Sequence, residues 1–184
     1  MSTLKVDTIL KRTGTGTITL GQSGDTISIP SGTTLAVSGT ATGVGGTNTP
    51  YFHVNRNGSD QSGFSNSTPT VIQFTNEVFD SGNYYDTSAY TWTPSAGTYF
   101  VYAQVRFQFD TETDIGLELQ KNGSDLFHAN NRAKYYSVVR TSGLVSMNGT
   151  DNLQLKAVQH SGSSQSLSGG NQKTFFGGFK IITW

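Results

Sequence analysis

The chain has 184 residues, with 12 basic and 12 acidic side chains, so its net charge is zero and only 13% of its residues carry charge. That balance excludes a surface that holds nucleic acid, because displacing counterions from phosphate needs clustered Lys and Arg. The absence of cysteine removes disulfides, thiolate catalysis and cysteine-ligated zinc together.

No run approaches the roughly 20 apolar residues that cross a bilayer, so membrane insertion is not expected. The first ten residues, MSTLKVDTIL, lack the apolar core of a secretory signal. Export by the general route is therefore not expected either.

In chain order, the first patterned segment is residues 15–39. Three apolar pairs, Ile18 with Leu20, Ile27 with Ile29, and Leu35 with Val37, return after nine and then eight residues. One such pair cannot stand alone. At ~25 cal/mol per Å² it hardly offsets the ~1–2 kcal/mol that ordering each residue costs. Three chains wrapped around a common axis would stack pair upon pair, and a short fixed period with small residues at the corners marks such solenoid-like β structure. The expectation is a β-repeat stalk over residues 15–47 with those six side chains on a trimer axis. The alternative is a flexible Gly/Ser/Thr linker.

Aromatic residues begin only at Tyr51, and this step in composition sets the expected boundary of a separate head, residues 51–184. Runs rich in β-branched and aromatic residues follow at 70–74, 97–109, 115–120, 135–147, 152–159 and 173–182, and all read as strands. In 97–109 the period is two: Tyr99, Val101, Ala103, Val105, Phe107 and Phe109 fall on one face, Tyr102, Gln104, Arg106 and Gln108 on the other. One face is expected to be buried. Asn-Gly pairs at 57–58, 122–123 and 148–149 supply the positive φ angles of tight hairpin turns. With no sustained helical period, the fold class is all-β, an antiparallel jelly-roll sandwich.

These residues resemble the trimeric jelly roll shared by the globular head of complement component 1q and tumour necrosis factor. Phe74, Asp80 and Tyr85 sit at the spacing of that family's signature, and WTPSAGTYFV (92–101) is similar to its strand entry, with Trp92 in place of Phe and Val101 in an aromatic slot. LELQKNGS (117–124), LVSMNGTDNLQL (144–155) and FFGGFKI (175–181) look like its Asn-Gly hairpin, its strand ending in an Asp, and its closing strand. The resemblance implies a homotrimer. Phe74, Tyr85, Trp92, Tyr99, Phe107, Phe175 and Phe179 are then expected in the core or the trimer interface.

The opening STLKVDTI (2–9) followed by Gly/Thr/Ser-rich repeats resembles the start of virion fibre and decoration proteins of phages. This implies a docking arm over residues 1–14, with Leu4, Val6 and Ile9 meeting other virion proteins of the capsid or tail. The protein is then expected at a virion surface, assembled in the host cytoplasm. A decoration or cement protein, a short fibre and a host-binding tail fibre knob all stay open, as does a carbohydrate-binding module.

Candidates for chemistry are few. His53, His128 and His160 are scattered, and a metal site would need them to converge. Asp110, Glu112 and Asp114 alternate in what reads as a turn between strands; hard oxygen ligands suit calcium, but a solvated turn tip is the plainer reading. A turn tip also lacks the burial and the cleft that a glycosidase acid requires, so no enzyme activity and no cofactor are expected. The sequons beginning at Asn57, Asn66, Asn122 and Asn148 read as turns. HANNRAKYY (128–136) puts amides, cations and tyrosines in an expected loop, and Asn130, Asn131, Arg132 and Tyr135 are candidates for contacting a host-surface glycan or protein.

Overall fold

The computed structural model of the chain describes residue 9, residues 16–38 and residues 48–181. The chain divides into two units, Met1–Val44 and Gly45–Trp184.

In the first unit the described residues form two tight turns and no strand. The Asp25 N–H donates to the Gln22 carbonyl at 3.0 Å, and eight residues later the Thr33 N–H donates to the Pro30 carbonyl at 3.2 Å. The third residue of each turn is a glycine, Gly24 at φ 94° and Gly32 at φ 83°, because a type II turn needs positive φ at that position. Asp25 closes the first turn further by accepting the Gln22 N–H, and the Thr33 hydroxyl closes the second by donating to the Pro30 carbonyl. The three apolar pairs lie before, between and after these turns.

The second unit contains eleven strands: β1 (Tyr51–Asn55), β2 (Gln61–Phe64), β3 (Thr70–Val71), β4 (Asn76–Asp80), β5 (Tyr85–Asp86), β6 (Thr91–Trp92), β7 (Gly97–Lys121), β8 (Ser124–Met147), β9 (Leu153–Gln159), β10 (Gln165–Leu167) and β11 (Phe175–Lys180). There is no helix among the described residues. The first half of β7 pairs with β11, then β1, then β4; its second half pairs with β9, whose other edge carries β6 and β3. The strand β8 pairs with β7 along almost all of both, and β10 bridges β7 to β2. The long hairpin thus belongs to two antiparallel sheets at once. They pack as the faces of a jelly-roll sandwich.

The turn expected at 110–114 is absent. β7 runs straight through it, with its register to β8 shifted between Phe109 and Thr113. The shift preserves parity, so Ile115, Leu117 and Leu119 continue the buried face begun by Tyr99 and Phe107. A bulge bends a strand without ending it, and here it carries the same apolar face from one sheet into the other. The loop expected at 128–136 is likewise part of β8, with Tyr135 at φ 64° opposite the bulge.

Of the Asn-Gly pairs, only Asn122-Gly123 joins two paired strands, with φ of 52° and 80°, the signature of a type I′ hairpin. Asn57-Gly58 turns the chain between β1 and β2, which do not pair, and Asn148-Gly149 crosses from β8 to β9. At that crossing the Asn148 Oδ1 accepts the backbone N–H of Thr150 and Asp151. Asp151 in turn takes Lys121 Nζ at 2.8 Å, the Asn122 amide and the Asn148 N–H, and these bonds, the Lys121 contact foremost, hold its carboxyl below the usual carboxylate range.

Between the sheets lies a core built largely from rings. Phe52 stacks on Trp92 at 4.2 Å between centroids and meets Phe176 edge-on at 4.9 Å; Trp92 meets Tyr99 at 5.0 Å, and Phe64 meets Phe107 at 5.2 Å. The Tyr99 hydroxyl donates to the Ser95 carbonyl at 2.7 Å, which lets that ring be buried without stranding its polar end.

Candidate functional site

The register of the first sheet places side chains in rows across its outward face. One row runs Tyr51, Phe179, Phe100, Leu144 from β1 through β11 and β7 to β8. The next runs Phe79, His53, Gly177, Tyr102, Ser142. Phe175 and Arg140 flank them from the third row. Tyr51, Phe79 and Leu144 are exposed at 41%, 46% and 62%, and His53, Phe100, Tyr102, Phe175 and Phe179 are half-buried against one another. A solvated sheet face ordinarily alternates to polar residues, and a contiguous apolar patch marks an interaction surface.

The centre of this face depends on Gly177. A Cβ there would stand 2.5 Å from the Tyr102 Cζ and hydroxyl, so the missing side chain is the space across which Tyr102 lies to reach His53. The Tyr102 hydroxyl is 3.1 Å from His53 Nδ1, and the rings of Phe79, Tyr102 and Phe175 surround the imidazole at 5.7, 5.9 and 5.4 Å. Burial pushes the His53 pKa down and the Tyr102 pKa up, because both charged forms would lose hydration.

The candidates read from the sequence fall into three groups. Phe74, Tyr85, Trp92, Tyr99 and Phe107 are buried in the core, whereas Phe175 and Phe179 stand on the outward face. Burial also raises the Tyr85 pKa. The six repeat side chains Ile18, Leu20, Ile27, Ile29, Leu35 and Val37 are 44–60% exposed in the single chain. Of the docking residues, Ile9 is 55% exposed, and Leu4 and Val6 lie outside the described residues.

The ligand candidates gather around a second surface. Asn130, Asn131 and Arg132 line a cleft of about 500 Å³ with Asp114 and His160, while Tyr135 lies beyond it. Arg132 Nε stands 3.4 Å from Glu112 and 3.7 Å from Asp114, drawing those carboxylates to a cation, and the His160 ring is 3.0 Å from the Ser67 hydroxyl. Among the described residues, no group of three or more acidic or histidine side chains is placed to hold a metal ion. His53, His128 and His160 stand on separate elements.

Tyr51, Phe79, Phe100, Tyr102 and Leu144 were not among the sequence candidates, and His53 was weighed only as a metal ligand. For Tyr51 and His53 the signal was present in YFHVN (51–55), where aromatic or aliphatic side chains fall on both faces.

No protein-family model and no curated protein sequence matches the chain. Among solved structures, murine APRIL is similar at 19% identity over 72% of this chain and 98% of its own, with a TM-score of 0.56. The globular domain of zebrafish complement 1qA matches at 15% identity over 72% and 97%, TM-score 0.53, and Eiger TNF from S. frugiperda at 13% over 72% and 93%, TM-score 0.50. The likeness is one of fold, a jelly roll like those of complement 1q and tumour necrosis factor domains.

Proposed function

We propose that the chain is a homotrimeric structural appendage of a phage particle, in which an amino-terminal arm docks on the virion and a β-repeat stalk carries the jelly-roll head outward. Its work is assembly and binding rather than turnover. The observation that carries this reading is that two separate surfaces of one chain are left apolar: the six side chains of the repeat, and the Tyr51–Phe179–Phe100–Leu144 row with its neighbours on the head. Each is the kind of surface that further copies of the same chain would cover, and the resemblance of the head to a trimeric family supports three. The placement on a phage rests on the resemblance of residues 2–9, and within the particle a decoration or cement protein, or a short fibre, suits the small size.

Sedimentation of the full-length protein tests the assembly: a trimer is expected, and a monomer at micromolar concentration overturns it. Immunogold labelling of intact particles tests the location. Gold on capsid faces supports decoration, gold at a tail tip supports a host-binding knob, and unlabelled particles overturn the virion reading. Binding to the host surface is a second role, favoured by the polar cleft of Asp114, Asn130, Asn131, Arg132 and His160.

A further inference from the structure

We propose that a groove between the turn at 56–59 and the turn at 169–173 is a site for an acidic saccharide, its carboxylate held by Arg106 and Lys173. This goes beyond the assembly reading and requires none of it, since one chain supplies the whole site. The groove has a volume of about 570 Å³ and is lined by Arg106, Lys173, Asn57, Asn171, Gln172 and Gly170, two cations and three amides without a carboxylate.

Arg106 is the centre of the argument. Its backbone is held at both ends, the N–H donating to the Thr174 hydroxyl at 3.3 Å and the carbonyl accepting the Ser168 N–H at 2.8 Å. Its guanidinium lies 4.0 Å from the centroid of the exposed Tyr136 ring. Its Nε is buried and has no hydrogen-bond partner, and no carboxylate pairs with it among the described residues. By contrast Lys121 and Arg132 each stand beside an acid, and Arg56 donates to backbone carbonyls and to Gln61. The fold leaves that donor unmatched and leaves the guanidinium charge without a carboxylate to balance it, so a ligand carboxylate in the groove would supply the missing counter-charge.

The two turns are shaped to form the groove. The Gly58 N–H donates to the Gly169 carbonyl at 2.9 Å, and a Cβ on Gly169 would fall on the Ser59 carbonyl oxygen. A Cβ on Gly170 would meet the Lys173 Cδ at 2.8 Å, so the lysine stem lies back over that glycine. A guanidinium presents the fork that suits a carboxylate, and an ammonium adds a point charge. The amides of Asn57, Asn171 and Gln172 each offer donors and an acceptor to hydroxyl groups. A neutral sugar would leave both cations uncompensated. A bare oxyanion would leave the amides unused.

Calorimetric titration of the full-length protein at low salt, with D-glucuronate, D-glucose and inorganic sulfate in turn, tests the site. Glucuronate is expected to bind, glucose not detectably, and sulfate more weakly than glucuronate. Arg106→Gln should weaken glucuronate binding roughly tenfold or more, the loss of a hydrogen bond to a charged group, and Lys173→Gln less, whereas Lys156→Gln on β9, which lines neither cleft, should leave it unchanged. If Arg106→Gln does not fold, Lys173→Gln and Asn171→Ala on the exposed turn carry the same comparison. Glucose binding as tightly as glucuronate, sulfate binding as tightly, loss of binding in Lys156→Gln, or no glucuronate binding each overturns the proposal.

Discussion

Residues 16–38 and residues 51–181 use the same local pattern, short apolar alternations punctuated by glycine turns, and only the second pairs its own backbone into sheets. The difference lies in side-chain size and in chain reach. The repeat offers isolated aliphatic pairs on segments between turns eight residues apart, whereas the head places Trp92, Phe52, Phe176 and Tyr99 in mutual contact. Each buried ring removes ~150–250 Å² from water. One region buries most of its large side chains internally, and the other leaves its six aliphatic side chains exposed in the single chain.

The largest effect expected from breaking this contrast is in the head. Trp92 is fully buried and stacked on Phe52, so Trp92→Ala should destabilise the head by about 3–5 kcal/mol, read as a lowered midpoint in urea denaturation. The same change leaves the repeat untouched. Self-association surviving in Trp92→Ala at low temperature would locate part of the assembly energy in the repeat.

Ile27→Asp addresses the other region. Ile27 is 59% exposed in the single chain, so an aspartate there costs the isolated chain little. Around a shared axis it would bury three like charges, each of which costs several kcal/mol. The dissociation constant is expected to rise at least about a hundredfold while the unfolding midpoint of the head stays put. Unchanged self-association would make the repeat a linker, leaving the head face as the sole site of assembly.

Gly177→Ala should have a smaller effect, about 1–3 kcal/mol, as an overpacked site does. The added methyl would stand 2.5 Å from the Tyr102 ring and 2.9 Å from the Phe52 carbonyl oxygen. Tyr102 must then leave its place beside His53. The double variant with Tyr102→Ala should recover part of the loss, and strict additivity of the two changes would put the clash wholly on the backbone.

How much of this contrast was legible in the sequence varies with the number of faces a segment buries. The strand β7 was readable over 97–109 because Tyr99 through Phe109 are buried on one face while the other face includes polar residues. The Asn122-Gly123 hairpin was readable because its turn chemistry is local. The strand β1 was not, because Tyr51 and His53 on its outward face are as apolar or aromatic as Phe52 and Val54 inside it, and period two disappears when both faces are covered. DTETD (110–114) read as a turn tip because it is polar throughout, but a bulge in a long strand tolerates the same residues. The stretch 128–136 read as a loop for a related reason: it lies on β8, much of it on the solvated side. The groove at Arg106 left no local signal at all, since residues 57, 106 and 171–173 meet only through the pairing of β10 and β11 with β7.

The smallest expected effect concerns pH, and it bears on the head face. His53 lies half-buried on that face, with the Tyr102 hydroxyl at its Nδ1 and no carboxylate paired to it among the described residues. Burial lowers its pKa below the ordinary imidazole value of 6.5. Between the lowered value and 6.5 the unfolded chain therefore binds more protons than the folded one, and stability rises with pH across that window. Lowering the pH from about 7.5 to 5 should thus reduce the unfolding midpoint, with the loss levelling off once the folded-state pKa is passed. His53→Gln should flatten this dependence, and an unchanged slope would assign it to other groups. Copies of the chain packed on this face would bury the imidazole further and depress its pKa more. The pH dependence should then be steeper at protein concentrations where the chains associate than where they are separate, which ties the titration of one side chain to the contrast between the buried core and the surfaces left apolar.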